Sequence, residues 1–260
     1  MGNEQRTMAE DPAFHAKEGD NVIVVEGVKK SFAGNEVLKG FDFVLHKGET
    51  LVILGRSGSG KSVLIKCIIG LMKPDAGTIN VLGNNILELS IGDMDKLRMR
   101  VGFLFQSNAL YDSMTIRENL EFPMRRHLRH LTADEVNERV VAALTDVGLA
   151  KTIDLMPSEL SGGMQKRVAL ARTLILQPEI ILYDEPTTGL DPITGMEISD
   201  LIVEIQEKYQ TSSIVISHDM KCVERTADRI DVLLNGICYA EGTYDELKAS
   251  TDPYIKQYFD

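Results

Sequence analysis

Residues 51–63 read Leu51-Val52-Ile53-Leu54-Gly55-Arg56-Ser57-Gly58-Ser59-Gly60-Lys61-Ser62-Val63. The four apolar residues at the start are typical of a strand that is buried on both faces. The next eight match the pattern G-x-x-x-x-G-K-[ST], and an apolar helix is predicted over Lys61–Leu71. A strand, a loop and a helix in this order are the context that a phosphate-binding loop requires. The stretch therefore predicts an α/β core with a phosphate site at the end of one strand.

The residue types in this loop suit a bound nucleotide. Glycines let consecutive backbone N–H groups turn toward phosphate without a clash from Cβ, and the helix N-terminus adds partial positive charge. We expect Lys61 to reach the β- and γ-phosphates and the Ser62 hydroxyl to bind Mg²⁺. The alternative is an ordinary tight turn between strand and helix. The predicted nucleotide-binding residues are Gly55, Arg56, Ser57, Gly58, Ser59, Gly60, Lys61, Ser62 and Val63.

A second apolar strand, predicted over Ile180–Tyr183, ends in two carboxylates, Asp184 and Glu185. Asp184 is placed for Mg²⁺, directly or through water, and Glu185 for the role of general base toward an attacking water. The alternative is an acidic surface turn, which Pro186 would also mark. The phosphate loop in the same chain favours the functional interpretation.

The run Leu160-Ser161-Gly162-Gly163-Met164-Gln165-Lys166-Arg167-Val168-Ala169 is a second polar, glycine-bearing helix start. Ser161 suits the N-cap, and one buried helix face is predicted for Met164, Val168, Ala171 and Ile175. A capped core helix is the plainer interpretation. Two glycines weaken it, because glycine costs stability at a helix start unless the backbone must approach something. Two places suited to phosphate suggest a chain that closes on ATP with a copy of itself.

Three further residues carry little information when each is considered alone. His218 follows a predicted strand over Ser213–Ile216, where a lone histidine is more often structural. Gln106 follows the apolar run Val101–Phe105. Phe32 is open between stacking on an adenine and ordinary core packing.

Composition and patterning exclude several classes of protein. The chain has 260 residues, of which 43% are hydrophobic, and a formal net charge of −11, which argues against nucleic acid as the main partner. No apolar stretch approaches the length of about eighteen residues that indicates a membrane span. The odd number of cysteines, without metal-like spacing, favours free thiols in a reducing cytosol. The polar N-terminus lacks the apolar segment of a signal peptide and is expected to be a disordered leader.

Strand patterns flank a block of charged helical segments between about residues 110 and 160. The strand predicted over Val37–His46 alternates, with Leu38, Phe41, Phe43 and Leu45 inward, and further strands are predicted over Val22–Val28, Thr78–Leu82 and Ile230–Leu234. A helix is predicted over Thr132–Val147, with a capping box formed by Thr132 and Glu135. These elements predict an α/β core with an α-helical subdomain.

Several of these motifs occur together in the order seen in ATP-binding-cassette (ABC) ATPases, which the chain resembles over residues 22–245. They are the phosphate loop, Gln106, Leu160-Ser161-Gly162-Gly163-Met164-Gln165, Asp184-Glu185, Gly189-Leu190-Asp191 and His218. The resemblance implies a P-loop NTPase core with a β-rich N-terminal part and an inserted α-helical subdomain. It places an ABC ATPase domain at 21–245, the helical subdomain at about 107–172, a leader at 1–20 and a C-terminal tail at 246–260.

The resemblance also implies roles for individual residues. In this family two cassettes bind head to tail and sandwich two ATP molecules, so Ser161, Gly162 and Gly163 would complete the ATP site of the partner. Asp191 would lie at the dimer seam, and His218 would contact the γ-phosphate. Gln106 would sense Mg²⁺ or water and begin the segment that faces the membrane partner. Phe32 stands where the family usually has an aromatic residue.

A narrower resemblance, to the Mla-type, Mce-associated lipid-transport ATPases, rests on Phe122–His127, Leu155–Met164, Asp191–Thr194 and Asp252–Asp260. It implies an ATPase that powers phospholipid movement between the inner membrane and the cell envelope and so maintains outer-membrane lipid asymmetry. The implied partners are integral-membrane permease subunits, an Mce-domain lipid-binding protein and a small cytosolic regulator. The implied location is peripheral, on the cytoplasmic face of the inner membrane.

Other functions are weighed against this one. ATPase subunits of other ABC importers, such as amino-acid importers, share much of the same core. A soluble cassette ATPase acting on nucleic acid or the ribosome is disfavoured by the single cassette, the absence of sustained heptads and the acidic balance. A nucleotide-regulated scaffold without turnover is disfavoured by the presence of Glu185.

Overall fold

The computed structural model describes residues 20–259, so the leader predicted for residues 1–20 lies almost wholly outside the described residues. Within that range, no helix is both long and apolar enough to cross a membrane. The strands, in chain order, are β1 (Asn21–Phe32), β2 (Asn35–His46), β3 (Thr50–Leu54), β4 (Ala76–Val81), β5 (Asn84–Asn85), β6 (Val101–Leu104), β7 (Ile180–Asp184), β8 (Ser212–Ser217), β9 (Arg229–Leu234) and β10 (Ile237–Gly242).

The helices lie around and between these strands. They are α1 (Lys61–Ile68), α2 (Ile91–Met99), α3 (Ile116–His127), α4 (Ala133–Asp146), α5 (Gly162–Leu174), α6 (Pro192–Tyr209), α7 (Met220–Thr226), α8 (Tyr244–Lys248) and α9 (Pro253–Lys256). Three of them, α3, α4 and α5, form the helical block between β6 and β7. The predicted capping box of Thr132 and Glu135 is confirmed at the start of α4.

The N-terminal sheet is antiparallel, with strand order β2-β1-β4-β5. The four predicted inward residues of β2 are all buried: Leu38, Phe41, Phe43 and Leu45. Side chains alternate from Phe41 to Leu45, and a register shift between Lys39 and Phe41 brings Leu38 to the same face. This face packs with β1, β3 and α1 in one of two hydrophobic clusters. The β-rich N-terminal part of the predicted fold is therefore confirmed.

The second sheet has six strands in the order β10-β9-β3-β8-β7-β6. All neighbours from β9 to β6 are parallel, and β10 joins the edge antiparallel. Every residue of β3, β7 and β8 is buried, as expected for parallel strands covered on both faces. This sheet and the helices around it form the α/β core of the predicted fold.

The helix predicted over Lys61–Leu71 is shorter in the structure and ends at Ile68. Gly70 has a φ of 65°, in the left-handed region, and its N–H donates to the carbonyl of Cys67 at 3.0 Å. A Cβ at Gly70 would lie 2.8 Å from Cε of Met94. The chain therefore turns at this glycine and leaves the helix, although the apolar pattern continues beyond it.

A group of charged side chains joins the two sheets. Arg229 of β9 donates to Glu49 at 2.7 Å and Glu241 at 2.8 Å, and it also donates to the carbonyl of Val44 in β2. Asp231 has no exposed surface, and its Oδ1 accepts from Arg229 at 3.3 Å. Burial raises the pKa of Asp231 to about 8, against the opposing effect of the Arg229 charge.

This shift predicts a specific dependence of stability on pH. Because the folded-state pKa of Asp231 is above its ordinary 3.8, ionising Asp231 opposes folding increasingly from about pH 4 to about pH 8. The free energy of unfolding of the wild type should therefore fall relative to that of Asp231→Asn as the pH rises from 5 to 8. The difference in free energy of unfolding between the two proteins should change by up to about 1.4 kcal/mol per pH unit, measured by urea unfolding.

Asp93→Asn is the control for this measurement. Hydrogen bonds from Lys96 and Ser90 lower the pKa of the exposed Asp93, so its effect on stability is constant over the same pH range. Parallel pH profiles for the wild type and Asp231→Asn would contradict the prediction.

Candidate nucleotide-binding site

Most of the predicted site residues lie at one edge of the parallel sheet. The phosphate loop follows β3, Asp184 ends β7, His218 follows β8 and Gln106 comes soon after β6. The carboxyl ends of parallel strands share an edge, where ligands of open α/β sheets commonly bind. The pairing register fixes this arrangement, since Asp184 lies opposite Ile216, and Ser217 lies opposite Leu54.

The backbone of the phosphate loop requires its glycines. Gly58 and Gly60 have φ values of 79° and 107°, which side-chain-bearing residues rarely adopt. A Cβ at Gly60 would lie 2.7 Å from Cγ1 of Val37, and one at Gly55 would lie 2.9 Å from the carbonyl oxygen of Leu233. The loop then leads directly into α1, so that backbone amides and the helix N-terminus lie together.

Lys61 connects the loop to the acidic end of β7. Its side chain is 5% exposed, and its ammonium donates to the carbonyls of Gly55 at 2.7 Å and Arg56 at 3.1 Å. The same nitrogen lies 3.5 Å from Oε1 of Glu185. A cation at this position is suited to the phosphates of a nucleotide that the loop encloses.

Ser62 and Asp184 form a pair of oxygen donors beside Lys61. The Ser62 hydroxyl donates to Oδ1 of Asp184 at 2.9 Å. Burial raises the pKa of Asp184, and the hydrogen bond from Ser62 opposes this shift. Mg²⁺ is often held by one or two protein oxygens together with substrate phosphates, which this donor set fits. In residues 20–259, no cluster of three or more His, Cys, Asp or Glu side chains could hold a metal ion by itself.

Glu185 is held in one position by its backbone and its side chain. It is 8% exposed, its φ of 51° is in the left-handed region, and its N–H donates to the carbonyl of Ile216 at 2.9 Å. Its Oε2 lies 2.8 Å from Nδ1 of His218 and accepts from the Thr188 hydroxyl at 3.4 Å. The carboxylate is thus oriented between His218 and Lys61, which suits a general base.

Two further predicted site residues, Gln106 and Phe32, have exposed side chains. Gln106 is exposed, and its backbone carbonyl accepts from the ammonium of Lys166 at 2.8 Å. Phe32 is 42% exposed at the end of β1, with the ammonium of Lys30 5.6 Å from its ring centre. The core-packing alternative for Phe32 is therefore wrong, and its ring is accessible for stacking.

Ser161, Gly162 and Gly163 are not brought to the phosphate loop of their own chain. No hydrogen bond or ion pair of the described residues joins residues 161–163 to residues 55–62. The predicted N-cap is confirmed, since the Ser161 hydroxyl accepts from the N–H of Met164 at 3.3 Å. Ser161 and Gly162 are exposed at the start of α5.

No pattern in the sequence indicated that one residue near the site, Lys166, is buried. Lys166 is only 2% exposed and contacts the Gln106 carbonyl, yet lysine on a helix is almost always a surface residue. Its helical position, two residues after Met164, is on the side of α5 opposite the predicted apolar face. Only the packing of α5 against the loop after β6 explains its burial.

The fold and the site together define a P-loop ATPase, with a phosphate loop, a hydroxyl and carboxylate pair and an oriented glutamate at one sheet edge. The ABC transporter family model matches residues 38–188, and the chain belongs to this family of ATP-hydrolysing cassettes.

Individual relatives agree with this assignment. The chain is 38% identical to the "Intermembrane phospholipid transport system ATP-binding protein MlaF" of Haemophilus influenzae, over 92% of this chain and 90% of that protein. It is 37% identical to "Protein TRIGALACTOSYLDIACYLGLYCEROL 3, chloroplastic" of Arabidopsis thaliana, over 93% of this chain and 74% of that protein. Among solved structures, it resembles the dimeric ATP-binding cassette MJ0796 bound to ADP and Pi, with a TM-score of 0.78 and 31% identity, over 85% of this chain and 98% of that one.

The position of Glu185 predicts how a neutral isostere behaves. Glu185→Gln should retain ATP binding, because the loop and Lys61 are unchanged, and should lose about 10²- to 10⁴-fold in hydrolysis rate, because a general base is removed. Binding is measured by calorimetry and turnover by phosphate release.

Glu179→Gln is the matched control, since Glu179 precedes β7 at its other end and has a side chain that is 53% exposed. Its turnover should equal that of the wild type. Near-normal turnover in Glu185→Gln would exclude Glu185 as the base.

Proposed function

We propose that this chain is the ATP-hydrolysing subunit of a transporter that moves phospholipid between the inner membrane and the cell envelope and so maintains outer-membrane lipid asymmetry. The observation that carries the cargo class is the 38% identity to a protein named for intermembrane phospholipid transport, which spans nearly the whole of both chains. The observation that carries the chemistry is the Glu185 carboxylate, held between His218 and Lys61.

We assign the following roles in nucleotide binding. The loop residues Gly55–Val63 hold the phosphates of ATP, and Phe32 stacks on the adenine. Ser62, Asp184 and Gln106 would hold Mg²⁺, which supplies charge neutralisation at the β- and γ-phosphates when it is bound. Lys61 exchanges the carbonyls of Gly55 and Arg56 for phosphate oxygens.

The same arrangement assigns the hydrolytic step to two side chains. When Lys61 turns to phosphate, it leaves the 3.5 Å contact with Oε1 of Glu185. The freed carboxylate oxygen accepts a proton from the attacking water, whose oxygen bonds to the γ-phosphorus as the bond to the β–γ bridging oxygen breaks and ADP leaves. His218 keeps the other carboxylate oxygen in place at 2.8 Å. His218 is 51% exposed on its side chain, so the ring can also reach the γ-phosphate.

A second copy of the chain completes each site in this proposal. Ser161, Gly162 and Gly163, which form no hydrogen bond or ion pair with their own phosphate loop, bind the ATP held by the partner. Asp191 supports the adjoining surface, because its carboxylate accepts from the N–H groups of Ile193 and Thr194, both at 3.1 Å. Ile193 and Met196 are 74% and 49% exposed beside it, which suits a surface that is covered by a second copy.

The remaining partners are membrane subunits. We assign the exposed surface after Gln106 to the integral-membrane permease subunits. It carries the rings of Tyr111 and Phe122, which are 43% and 40% exposed and 4.9 Å apart. An Mce-domain lipid-binding protein and a small cytosolic regulator complete the proposed complex. The chain would then be peripheral, on the cytoplasmic face of the inner membrane.

A bulky cation at the start of α5 tests the two-copy site. Ser161→Arg in a Glu185→Gln background should form no ATP-dependent dimer by light scattering, because the guanidinium and its stem would occupy the space that the partner's ATP requires. Loss of the N-cap hydrogen bond costs about 1 kcal/mol, so thermal unfolding is measured in parallel to show that the variant is folded.

Ser158→Arg is the matched control, because Ser158 is exposed in the preceding turn, Pro157–Glu159. It should dimerise with ATP as the parent does. ATP-dependent dimers of Ser161→Arg would exclude the composite site.

The composition of the native complex tests the cargo. Affinity purification of the tagged chain from detergent-solubilised membranes, followed by mass spectrometry of proteins and lipids, should yield permease subunits, an Mce-domain protein and bound phospholipid. The permease subunits and the Mce-domain protein should co-purify with the tagged chain whether or not ATP is added. Recovery of a receptor for amino acids in place of the Mce-domain protein would exclude phospholipid transport.

A further inference from the structure

Lys166 is a charged side chain buried inside the helical block. Only 2% of it is exposed, and it ranks among the largest fully buried side chains of the described residues. Burying an ammonium group is costly unless it is paired or hydrogen-bonded. Burial lowers the pKa of Lys166 to about 8, and the charge of Asp184 opposes this shift. A contact that compensates for the cost of burying the Lys166 ammonium is therefore expected.

The hydrogen bond of Lys166 is this compensating contact. Its Nζ donates to the backbone carbonyl of Gln106 at 2.8 Å, across a wide separation in sequence. No ion pair of Lys166 within 4.0 Å occurs among residues 20–259. A charged donor to a carbonyl gives a stronger hydrogen bond than a neutral one, and more so away from water. The ammonium therefore fixes the backbone at Gln106 itself.

A second cation of the same helix holds the residues that follow. Arg172 donates to the carbonyls of Asn108 at 3.1 Å and Ala109 at 2.8 Å. Asn108 and Ala109 have φ values of 62° and 54°, which are unfavourable for residues that carry a Cβ. Backbone in this region persists only where its surroundings fix it. Residues 106–109 are thus held by their carbonyls against α5.

The helix that holds residues 106–109, α5, also begins with the residues assigned to the partner's ATP. Lys166 lies about one turn beyond Gly162, so it moves with the exposed residues Ser161 and Gly162. One rigid element thereby carries both the residues assigned to the partner's ATP and the contact that fixes Gln106.

We propose that Lys166 is a positioning residue, which ties Gln106 to α5 and so sets Gln106 in one ATP site when Ser161 and Gly162 engage the other. This inference rests on the proposed two-copy ATP site. Lys166 touches neither ATP nor the attacking water, and it acts through the Gln106 backbone. If Lys166 had only a packing role in the helical block, its replacement would lower the stability of the protein without changing the position of Gln106.

The test compares three variants of the full chain. Lys166→Met keeps most of the length of the side chain but removes the donor, and Lys166→Arg keeps a charged donor. Lys96→Met, at a lysine whose side chain is 73% exposed on α2, is the control for a change of the same type at the surface. The readouts are hydrogen exchange of the amides in residues 105–110, ATP affinity by calorimetry, and kcat and KM for ATP hydrolysis.

We expect faster exchange of residues 105–110 in Lys166→Met, together with a fall in kcat of about tenfold, the size seen when a supporting partner of a site residue is lost. ATP affinity measured without Mg²⁺ should stay within about twofold of the wild type, because the phosphate loop and Lys61 are unchanged. Lys166→Arg should restore most of the exchange protection and of kcat. Lys96→Met should match the wild type in every readout.

Two results would overturn the proposal if Lys166→Met folds, and one if it does not. One is unchanged exchange and kcat in Lys166→Met. The other is an equal loss of ATP affinity and kcat in both Lys166→Met and Lys166→Arg, which indicates damaged packing. If Lys166→Met does not fold, a kcat of Lys166→Arg about tenfold below that of the wild type, with normal ATP affinity, overturns the proposal. Failure of the two-copy site itself is distinguishable, because the Glu185→Gln parent would then form no ATP-dependent dimer.

Discussion

The parallel pairing of β3, β8 and β7 is the constraint on which the site depends. It places the phosphate loop after β3, His218 after β8 and Asp184 at the end of β7 at the same edge of the sheet. A slip of one residue in any of these strands would turn its side chains to the opposite face. All three strands are buried on both faces, so the apolar core that stabilises the sheet also fixes the register of the site.

The charged groups at this edge satisfy one another in the protein itself. Lys61 is bonded to two loop carbonyls, Asp184 accepts from Ser62, and Glu185 accepts from Thr188 and pairs with His218. Each of these contacts can be exchanged for a contact to phosphate, metal or water without leaving a buried charge unpaired. Because the groups are held in a poorly solvated edge, the charge of an incoming triphosphate acts on them more strongly than it would in water. In the proposed mechanism, the binding of nucleotide is thereby coupled to the orientation of Glu185.

Local patterns in the sequence predicted those parts of the molecule that depend on local chemistry. The phosphate loop, the alternation in β2 and the capping box of Thr132 and Glu135 all follow from residue type and spacing. The left-handed conformation of Glu185, the burial of Lys166 and the charged junction at Arg229 do not. Each of these three depends on a chain segment far away in sequence, and no helical or strand period reports such a contact.

The packing of a single chain explains only one of the two glycines at the start of α5. A Cβ at Gly163 would lie 2.5 Å from Cγ2 of Thr194, so packing against α6 requires glycine there. At Gly162 the nearest atom to such a Cβ is Cδ2 of Leu190 at 3.9 Å, an ordinary contact, and the φ of Gly162 is not in the left-handed region. Nothing among the described residues therefore excludes a side chain at Gly162, and alanine would form a better helix. In the proposed dimer, the close approach of ATP held by a second copy would account for glycine at this exposed position.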